Sequence, residues 1–110
     1  MRVQQGDIWF TDLGVPRGTE QGSARPTLII SNDGFNRISQ GLVVVVPLTT
    51  RDRGWDTHLP IRVGKTGLRQ DSWAMLQQVR SVSVERFKFR IGHVSNKTLD
   101  EVVELLSELF

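Results

Sequence analysis

The stretch TLIISNDGFNRISQGLVVVVPL, residues 27–48, decides the fold. Its two continuous apolar runs, 27–31 and 42–48, are rich in β-branched residues and predict buried strands. The polar residues between the runs predict a turn followed by one irregular helical turn. Pro47 lacks a backbone N–H group, so we expect the second strand to end there. The stretch therefore predicts a protein built around a β-sheet.

Shorter apolar runs on both sides of this stretch extend the sheet. Glycines and polar residues separate the runs, as is typical of strands joined by turns. Strands are expected at residues 7–13, 58–63, 73–76 and 79–84, and residues 87–91 predict one more strand or a short turn of helix.

The last part of the chain predicts an amphipathic helix. Apolar side chains recur there at the i, i+3, i+4, i+7 spacing of a helix face, at Leu99, Val102, Val103, Leu106, Leu109 and Phe110. The helix is expected to begin at Thr98, which has capping-box spacing to Glu101, or at the competing cap Ser95. Short strands closed by one terminal helix indicate a mainly β fold, a small and strongly bent sheet or barrel.

The composition is that of an ordinary globular domain. Of 110 residues, 38% are hydrophobic and 24% are charged, so we expect a single domain spanning residues 1–110. Cysteine is absent, which excludes a disulfide framework, a thiol nucleophile and a thiolate metal site. No apolar run approaches the ~20 residues needed to span a bilayer, and the N-terminal residues lack the apolar core of a signal peptide. A cytoplasmic protein with no membrane segment is therefore expected.

Charge is distributed unevenly along the chain. The net charge is +2, but residues 1–98 hold all fourteen basic residues and eight acids, a balance of +6, and the other four acids lie in residues 100–108. A basic body is compatible with a polyanion such as nucleic acid, and eleven of the fourteen cations are arginines, which suit phosphate well. Basic residues spread over a surface with no ligand remain the alternative. The late acids predict a solvated helix face.

The long polar loop 14–24 leads into the first buried run. It contains three glycines and is followed by Arg25-Pro26, and the proline restricts Arg25 to extended backbone geometry. Two interpretations stay open: Glu20 and Arg25 form a surface ion pair, or Arg25 presents its guanidinium to a phosphate. At the end of the second run, Thr49 and Thr50 carry hydroxyls that could face the same cleft.

Several other chemistries lack their residues. His58 and His93 are the only histidines and neither has a ligand-spaced partner, so no metal is expected. No Gly-x-Ser-x-Gly turn is present for a hydrolase triad. Gly64-Lys65-Thr66 lacks the upstream glycine of a phosphate-binding loop.

A series of short motifs in a fixed order resembles the MazF/PemK family of bacterial toxins from toxin–antitoxin pairs. The similarity covers the chain from Gly6 to the terminal helix, and its most specific parts are Glu20-Gln-Gly-Ser-Ala-Arg25-Pro26 and Pro47-Leu-Thr49-Thr50. The resemblance implies an SH3-like, CcdB/PemK-type β-barrel with a C-terminal helix, forming a homodimer. It also implies a metal-independent endoribonuclease without a cofactor, which cuts single-stranded RNA at a short sequence and is neutralised by a cognate MazE-like antitoxin.

The resemblance assigns roles to individual residues. Arg25 and Thr49 fall on the catalytic pair, and Glu20 falls on a position that supports catalysis or orients the arginine. Phe35, Trp55 and Trp73 are candidates for stacking on bases, of which Trp55 is retained because its loop is polar. RNA contacts are expected at Gln21, Asn36, Thr50, Trp55, Gln77, Gln78 and Arg80. Ser23 departs from the family's Gly-Gly after Glu-Gln, which bears on the loop and on sequence preference.

The implied reaction is attack of a ribose 2′-hydroxyl on the adjacent phosphorus, which leaves a 2′,3′-cyclic phosphate and a 5′-hydroxyl. Arg25 suits stabilisation of the charge on the phosphorane, and Thr49 suits hydrogen bonding to a non-bridging oxygen. A guanidinium is a poor general base because it almost never gives up its proton. The identity of the base stays open, with Glu20 as one candidate.

Two alternatives share the predicted fold. One is a toxin that binds DNA gyrase without cutting nucleic acid, and the other is an RNA-binding relative that has lost catalysis. Fold alone cannot separate these functions. The presence of both Arg25 and Thr49 favours the nuclease.

Overall fold

The computed structural model describes residues 2–20 and 22–110. Within those ranges the chain forms seven strands and two α-helices, with single 3₁₀ turns at Leu76–Gln78 and Val84–Arg86. The elements are β1 (Asp7–Asp12), β2 (Ala24–Ile29), α1 (Asp33–Ile38), β3 (Leu42–Thr49), β4 (His58–Ile61), β5 (Ser72–Met75), β6 (Arg80–Ser83), β7 (Phe87–His93) and α2 (Asn96–Leu109). The prediction of a mainly β protein with a C-terminal helix is confirmed.

The strands form one antiparallel sheet in the order β4-β5-β3-β2-β1-β7. Strand β3 is its centre, because one edge pairs with β2 while the other pairs first with β6 and then with β5. Residues 42–45 face β6, and only Leu48 and Thr49 face β5. A strand shared in this way bends the sheet.

Pro47 does not end the strand, and the prediction that it would is wrong. The backbone of Val44 hydrogen-bonds towards β2, through its carbonyl to Ile30. Because backbone groups alternate between the two edges of a strand, the nitrogen of Pro47 faces the other edge. There it lies in the gap between β6 and β5, where no partner needs its missing N–H, and β3 continues to Thr49.

The strand pairs leave the sheet open between β7 and β4, so it is a barrel only in a loose sense. The loop 62–71 that joins β4 to β5 packs against β7 across this opening. A Cβ atom on Gly67 would overlap the carbonyl group of Ile91, and one on Gly92 would overlap the carbonyl of Thr66. Close backbone contact, rather than a hydrogen-bonded ladder, therefore completes the wall. We call this contact the seam.

Apolar side chains fill both faces of the bent sheet. The larger cluster lies between the sheet and α2, whose Val102 is fully buried, and includes Ile8, Leu28, Val46, Leu48, Ile61, Ala74 and Leu76. The second cluster, on the opposite face of the central strands, comprises Trp9, Leu13, Ile29, Val43, Val45, Val82 and Phe87. The alternation along β1, β2 and β3 thus assigns even-numbered residues to one core and odd-numbered residues to the other.

Helix α2 begins at the cap Ser95, whose hydroxyl accepts a hydrogen bond from the backbone N–H of Thr98 at 3.2 Å. Part of the predicted apolar stripe is wrong. Leu105 packs on the core in addition to Leu99 and Leu106, while Val103, Leu109 and Phe110 are exposed. Neither described helix combines the length and the apolar character that crossing a bilayer requires.

Candidate active site

Arg25 and Thr49 lie on neighbouring strands of the sheet. Strand β2 begins at Ala24, earlier than the sequence predicts, so Arg25 belongs to the strand and pairs with Thr11 of β1. The β2–β3 ladder ends with Thr27 paired to Pro47, and the same register continued by two residues puts Arg25 across from Thr49, in agreement with the hydrogen bond from Arg25 to the Leu48 carbonyl. Cross-strand neighbours share a face, with their Cβ atoms about 5 Å apart. The two side chains are thus brought together on the face of the sheet that carries the odd-numbered residues of β1, β2 and β3, which we call the odd-numbered face; the other is the even-numbered face.

The same face extends this pair into a row across four strands. Thr11 lies beside Arg25 on β1, and Trp73 of β5 pairs with Thr49. Trp73 is half-buried, so part of its ring faces outward. Sequence reasoning retained only Trp55 among the tryptophans, but Trp73 is the one placed next to Thr49.

Burial and a neighbouring charge act on Arg25. Its Nη1 donates a hydrogen bond to the carbonyl of Leu48 at 3.4 Å, and the side chain is half-buried. Burial, and secondarily the charge of Arg53, lower the pKa of Arg25 from its usual value. An arginine starts so far above neutrality that it remains a cation near pH 7. The pair of arginines therefore forms a local positive site.

The hydroxyl of Thr49 is oriented by the next loop. Its oxygen accepts a hydrogen bond from the backbone N–H of Arg51 at 3.2 Å, which leaves the hydroxyl proton available to another acceptor. Thr50 is not part of this arrangement. It lines a groove with Phe10 and Pro26, which point to the even-numbered face.

The loop 50–57 carries a connected set of side chains. The guanidinium of Arg53 lies over the ring of Trp55, 5.3 Å from its centroid, and Trp55 meets the ring of His58 edge-on at 5.0 Å. His58 Nε2 in turn hydrogen-bonds Gln77 Nε2 at 3.1 Å. Arg53 also acts on Arg25, so this set adjoins the Arg25–Thr49 pair.

Sequence reasoning missed Arg53 and considered His58 only as a metal ligand. His58 is buried, and its Nδ1 has no hydrogen-bond partner among the described residues. Burial, and then the charge of Arg53, lower its pKa, while Asp52 opposes the shift. The available signal was the Arg-Asp-Arg run directly after the two threonines.

The long loop 14–23 is closed at its base and held near its tip. Leu13 donates its N–H to the carbonyl of Ser23, and Ser23 donates to that of Gly14, at 3.0 and 2.7 Å. Near the tip, Gln78 Nε2 donates to the carbonyl of Thr19 at 2.9 Å. Arg80 Nη1 reaches the carbonyl of Leu13 at 3.5 Å. Gln78 and Arg80 therefore both contact this loop or its base.

Two residues at the end of this loop have special backbone conformations. A Cβ atom on Gly22 would overlap Pro16, so only glycine fits that position without movement. Ser23 has φ of 65°, in the left-handed region that costs a non-glycine residue about 1 kcal/mol. A strained residue here fixes the entry of the chain into β2, just before Arg25.

Glu20 lies in the exposed part of this loop. In the ranges that the structure describes, no ion pair joins Glu20 to Arg25; the ion pairs found there are Arg62–Asp71 and Arg90–Asp7. The surface ion pair considered from the sequence is therefore not formed. Gln21, expected to contact RNA, lies outside the described residues.

Asn36 is distant from the Arg25–Thr49 pair. Its side chain accepts a hydrogen bond from the Ser31 hydroxyl and donates to the Ser31 carbonyl, at 2.5 and 3.1 Å. Ser31 lies beside Val44, which is five residues along β3 from Thr49, or about 16 Å. Across residues 2–20 and 22–110, no group of three His, Asp or Glu side chains could hold a metal ion.

Comparison with known proteins identifies the family. A family model described as the PemK-like, MazF-like toxin of type II toxin–antitoxin systems matches residues 4–110. Endoribonuclease EndoA of Bacillus subtilis is 35% identical over 107 residues, which cover 96% of this chain and 92% of that protein. Endoribonuclease MazF of Staphylococcus saprophyticus is 35% identical over 102 residues, covering 91% and 84%.

The chain belongs to this toxin family. Solved structures agree on the fold: MazF from Deinococcus radiodurans superposes with a TM-score of 0.82 at 23% identity, covering 97% of this chain and 94% of that one. A mycobacterial endoribonuclease in complex with its cognate antitoxin gives a TM-score of 0.79 at 23% identity, covering 97% and 93%. The family match spans both loops and both strands that form the Arg25–Thr49 pair.

Proposed function

We propose that this toxin-family protein is an endoribonuclease that cleaves single-stranded RNA at a short sequence. The 2′-hydroxyl attacks the adjacent phosphorus without a metal, leaving a 2′,3′-cyclic phosphate and a 5′-hydroxyl, and cleavage of cellular RNA inhibits translation and growth. One observation carries the proposal: the β2–β3 register, continued past Thr27 and Pro47, puts Arg25 and Thr49 on one face, and Arg25 hydrogen-bonds the carbonyl of Leu48 next to Thr49. The names of the two endoribonuclease relatives support it.

Arg25 supplies charge in this mechanism. As the 2′-oxygen adds to phosphorus, negative charge accumulates on the non-bridging oxygens, and a guanidinium binds two such oxygens through parallel N–H donors. Partial burial reduces competition from water, so the interaction is stronger than on an open surface. Arg53, which raises the positive potential at the same place, attracts the phosphate before reaction.

Thr49 supplies a fixed hydrogen-bond donor. Because its oxygen already accepts from the Arg51 N–H, the hydroxyl is held in place while its proton stays available to a non-bridging phosphate oxygen. A donor held in place stabilises the transition state without reorganisation when the reaction occurs. Trp73, beside Thr49, offers a surface on which a base next to the scissile phosphate stacks.

Glu20 is proposed to accept the 2′ proton. It lies next to Thr19, the point at which Gln78 holds the loop, so the loop can carry its carboxylate over the bound phosphate. A carboxylate can accept a proton, whereas the guanidinium of an arginine already holds its own. Glu20 is not consumed by an ion pair with Arg25 among the described contacts, which leaves it available for this role.

Base recognition is assigned to the surface around this pair. Trp55 and Gln77 belong to the side chains that contact one another beside Arg53, the arginine whose charge acts on Arg25. Gln78 and Arg80 contact the long loop or its base. Asn36, in α1 near the far end of β3, serves a nucleotide bound away from the scissile phosphate, and Gln21 serves one near the loop. Contacts of this type read unstacked bases in single strands.

Two protein partners complete the proposal. The protein is expected to act as a homodimer in the cytoplasm, and a cognate antitoxin is expected to occupy the RNA surface with an acidic segment. The +6 charge of residues 1–98 favours an acidic partner, and the solved complex of a similar fold with its antitoxin supports the pairing.

The decisive experiment incubates the purified protein with a long single-stranded RNA in EDTA and maps the products. We expect discrete cuts that end in 5′-hydroxyl groups. Arg25→Ala and Thr49→Val should each lower the single-turnover rate by about 100-fold or more, because each removes a transition-state contact. Thr49→Ser, which keeps the hydroxyl, should retain most activity.

The control variant is Lys97→Gln, which removes an exposed lysine of α2, the helix that packs on the face opposite Arg25 and Thr49. It should cleave at the wild-type rate. Intact RNA from a folded wild-type protein would refute the nuclease and favour the gyrase-binding alternative. Equal rates for wild type and Thr49→Val would reject the assigned site.

A further inference from the structure

A groove of about 610 Å³ lies on the even-numbered face, opposite the Arg25–Thr49 pair. It runs along the seam, where the loop 62–71 packs against β7. Its wall includes two aromatic rings, two arginines and one threonine: Phe10, Phe89, Arg69, Arg90 and Thr50. The proposed catalytic residues do not line it, so the groove is a separate site.

The aromatic rings form a flat platform. Phe10 and Phe89 stack nearly parallel, with centroids 5.1 Å apart and planes 10° apart. Phe89 nevertheless has 56% of its surface exposed. One face is supported by Phe10, while the rest is open to a ligand. Exposed rings beside cations are typical of single-stranded nucleic acid sites, since every base has a π face.

The arginines differ in how they are held. Arg90 is fixed by two hydrogen bonds from its guanidinium to Asp7 Oδ1, at 3.2 and 3.3 Å. Arg69 is exposed, makes no ion pair among the described residues, and lies two residues after Gly67, which packs tightly on β7. The charge of Arg69 is therefore uncompensated and stands at a defined place beside the platform.

The groove meets the end of β3 next to the proposed catalytic site. Thr49 ends β3 on one face, and the next residue, Thr50, lines the groove. A strand that passes over this end of β3 goes directly from one face of the sheet to the other. The occupant that fits both the position and the chemistry is the same RNA strand.

We propose that the seam groove binds nucleotides that flank the scissile phosphate. A base stacks on Phe89 and a phosphate pairs with Arg69. The inference rests on the proposed function for its substrate. Stacking and phosphate contacts carry no sequence information, so the groove adds affinity for long RNA without changing the sequence that is cut.

The test compares two RNAs that contain the same mapped cut. A short one of about 6 nucleotides fills only the cleavage site, and a long one of about 16 nucleotides also reaches the groove. Dissociation constants are measured by fluorescence anisotropy in the Thr49→Val background, in which cleavage is expected to be about 100-fold slower or more. Single-turnover cleavage is measured in parallel with the Thr49 residue intact.

Phe89→Ala should weaken binding of the long RNA by about 10-fold, the loss expected for one stacked base. Binding of the short RNA and the cleavage rate at saturation should not change. Arg69→Gln should also weaken binding of the long RNA alone. Phe89→Trp, which keeps an aromatic ring, should bind the long RNA as tightly as the wild type does. Phe110→Ala removes a phenylalanine that is 84% exposed at the end of the chain and should have no effect.

Equal weakening of both RNAs, or of neither, would overturn the groove proposal. A Phe89→Ala variant that binds long RNA normally but resists the cognate antitoxin would assign the groove to the protein partner and reject RNA. Length-dependent binding by a wild-type protein that cuts nothing would refute the proposed function while supporting the groove. The two proposals therefore fail separately.

Discussion

At the scale of single residues, His58 shows how the fold controls a charge that sequence cannot. The imidazole ring of His58 is buried against Trp55, and its Nε2 is hydrogen-bonded to Gln77 Nε2. Its Nδ1 has no hydrogen-bond partner among the described residues. Burial first, and then Arg53, lower its pKa, and Asp52 only partly offsets them. At a pH near the usual pKa of histidine, the folded protein thus favours the neutral imidazole of His58, whereas a histidine in the unfolded chain is partly protonated.

The consequence is a loss of stability in acid that is specific to His58. Its pKa is about 6.5 in the unfolded chain and lower in the folded one, so His58 has no effect on stability well above pH 6.5. As the pH falls through this value, the unfolded chain binds a proton that the folded protein refuses, and the free energy of unfolding decreases.

Urea unfolding at about pH 7.5 and about pH 5 measures this effect. Wild type should lose more stability between the two pH values than His58→Gln, which cannot bind the proton. An equal loss in both proteins would contradict the assignment. Comparing each protein with itself at two pH values removes any constant cost of the substitution.

The roles of individual site residues stay predictions, but one segment of sequence was enough to single out some of them. Arg25 and Thr49 each stand at the end of a strongly patterned run, and their motifs carried them as a pair. Arg53 and His58 were missed because their approach to Arg25 depends on the path of the loop 50–57. That path is fixed by tertiary contacts such as the Gln77–His58 hydrogen bond, which joins residues far apart in the chain.

At the scale of elements, the seam between β7 and the loop 62–71 replaces a strand pair. Its requirement for glycine is steric, because a side chain on Gly92 would meet the Thr66 carbonyl directly. We expect Gly92→Ala to destabilise the protein by about 2 kcal/mol or more, as overpacking of a tight contact does. Thermal or urea unfolding measures the change.

Gly34→Ala is the matched control for this substitution. Gly34 lies in α1 and has no positive φ, and a Cβ there would contact two side-chain atoms, Asn32 Oδ1 at 3.3 Å and Arg37 Nη2 at 3.9 Å, and no backbone. Alanine favours helix over glycine by up to about 1 kcal/mol, so Gly34→Ala should be neutral or stabilising. If Gly92→Ala were equally well tolerated, the seam would not be the close backbone contact described.

The elements themselves were predicted by local pattern, and their closure was not. Every predicted strand is present within a few residues, and the ambiguous run 87–91 is a strand, β7. The open sheet and the passage of β3 through Pro47 depend on which edges meet in three dimensions. A single proline predicts a strand end only when its nitrogen faces a partner, and here it faces a gap.

At the scale of the whole molecule, charge separates the binding surface from the terminal helix. Residues 1–98 carry +6, and the four late acids lie on the exposed side of α2 or at its end. A body of this charge attracts an RNA strand over a distance that salt controls, since the Debye length is only about 8 Å at physiological ionic strength. RNA affinity should therefore fall steeply with salt.

The slope of that fall counts the phosphates that the protein neutralises, at about 0.7 in log K per phosphate for a single strand. We expect Arg53→Gln, in the Thr49→Val background, to reduce the slope by about 0.7, because Arg53 stands beside Arg25 in the proposed phosphate site. Lys97→Gln also removes one positive charge, but from the exposed first turn of α2, outside the Arg25–Thr49 pair and the seam groove, and should leave the slope unchanged. Anisotropy titrations over a range of salt concentrations give both slopes. Equal reductions would show that net charge alone attracts RNA, and no reduction in either variant would show that Arg53 does not contact the phosphate backbone.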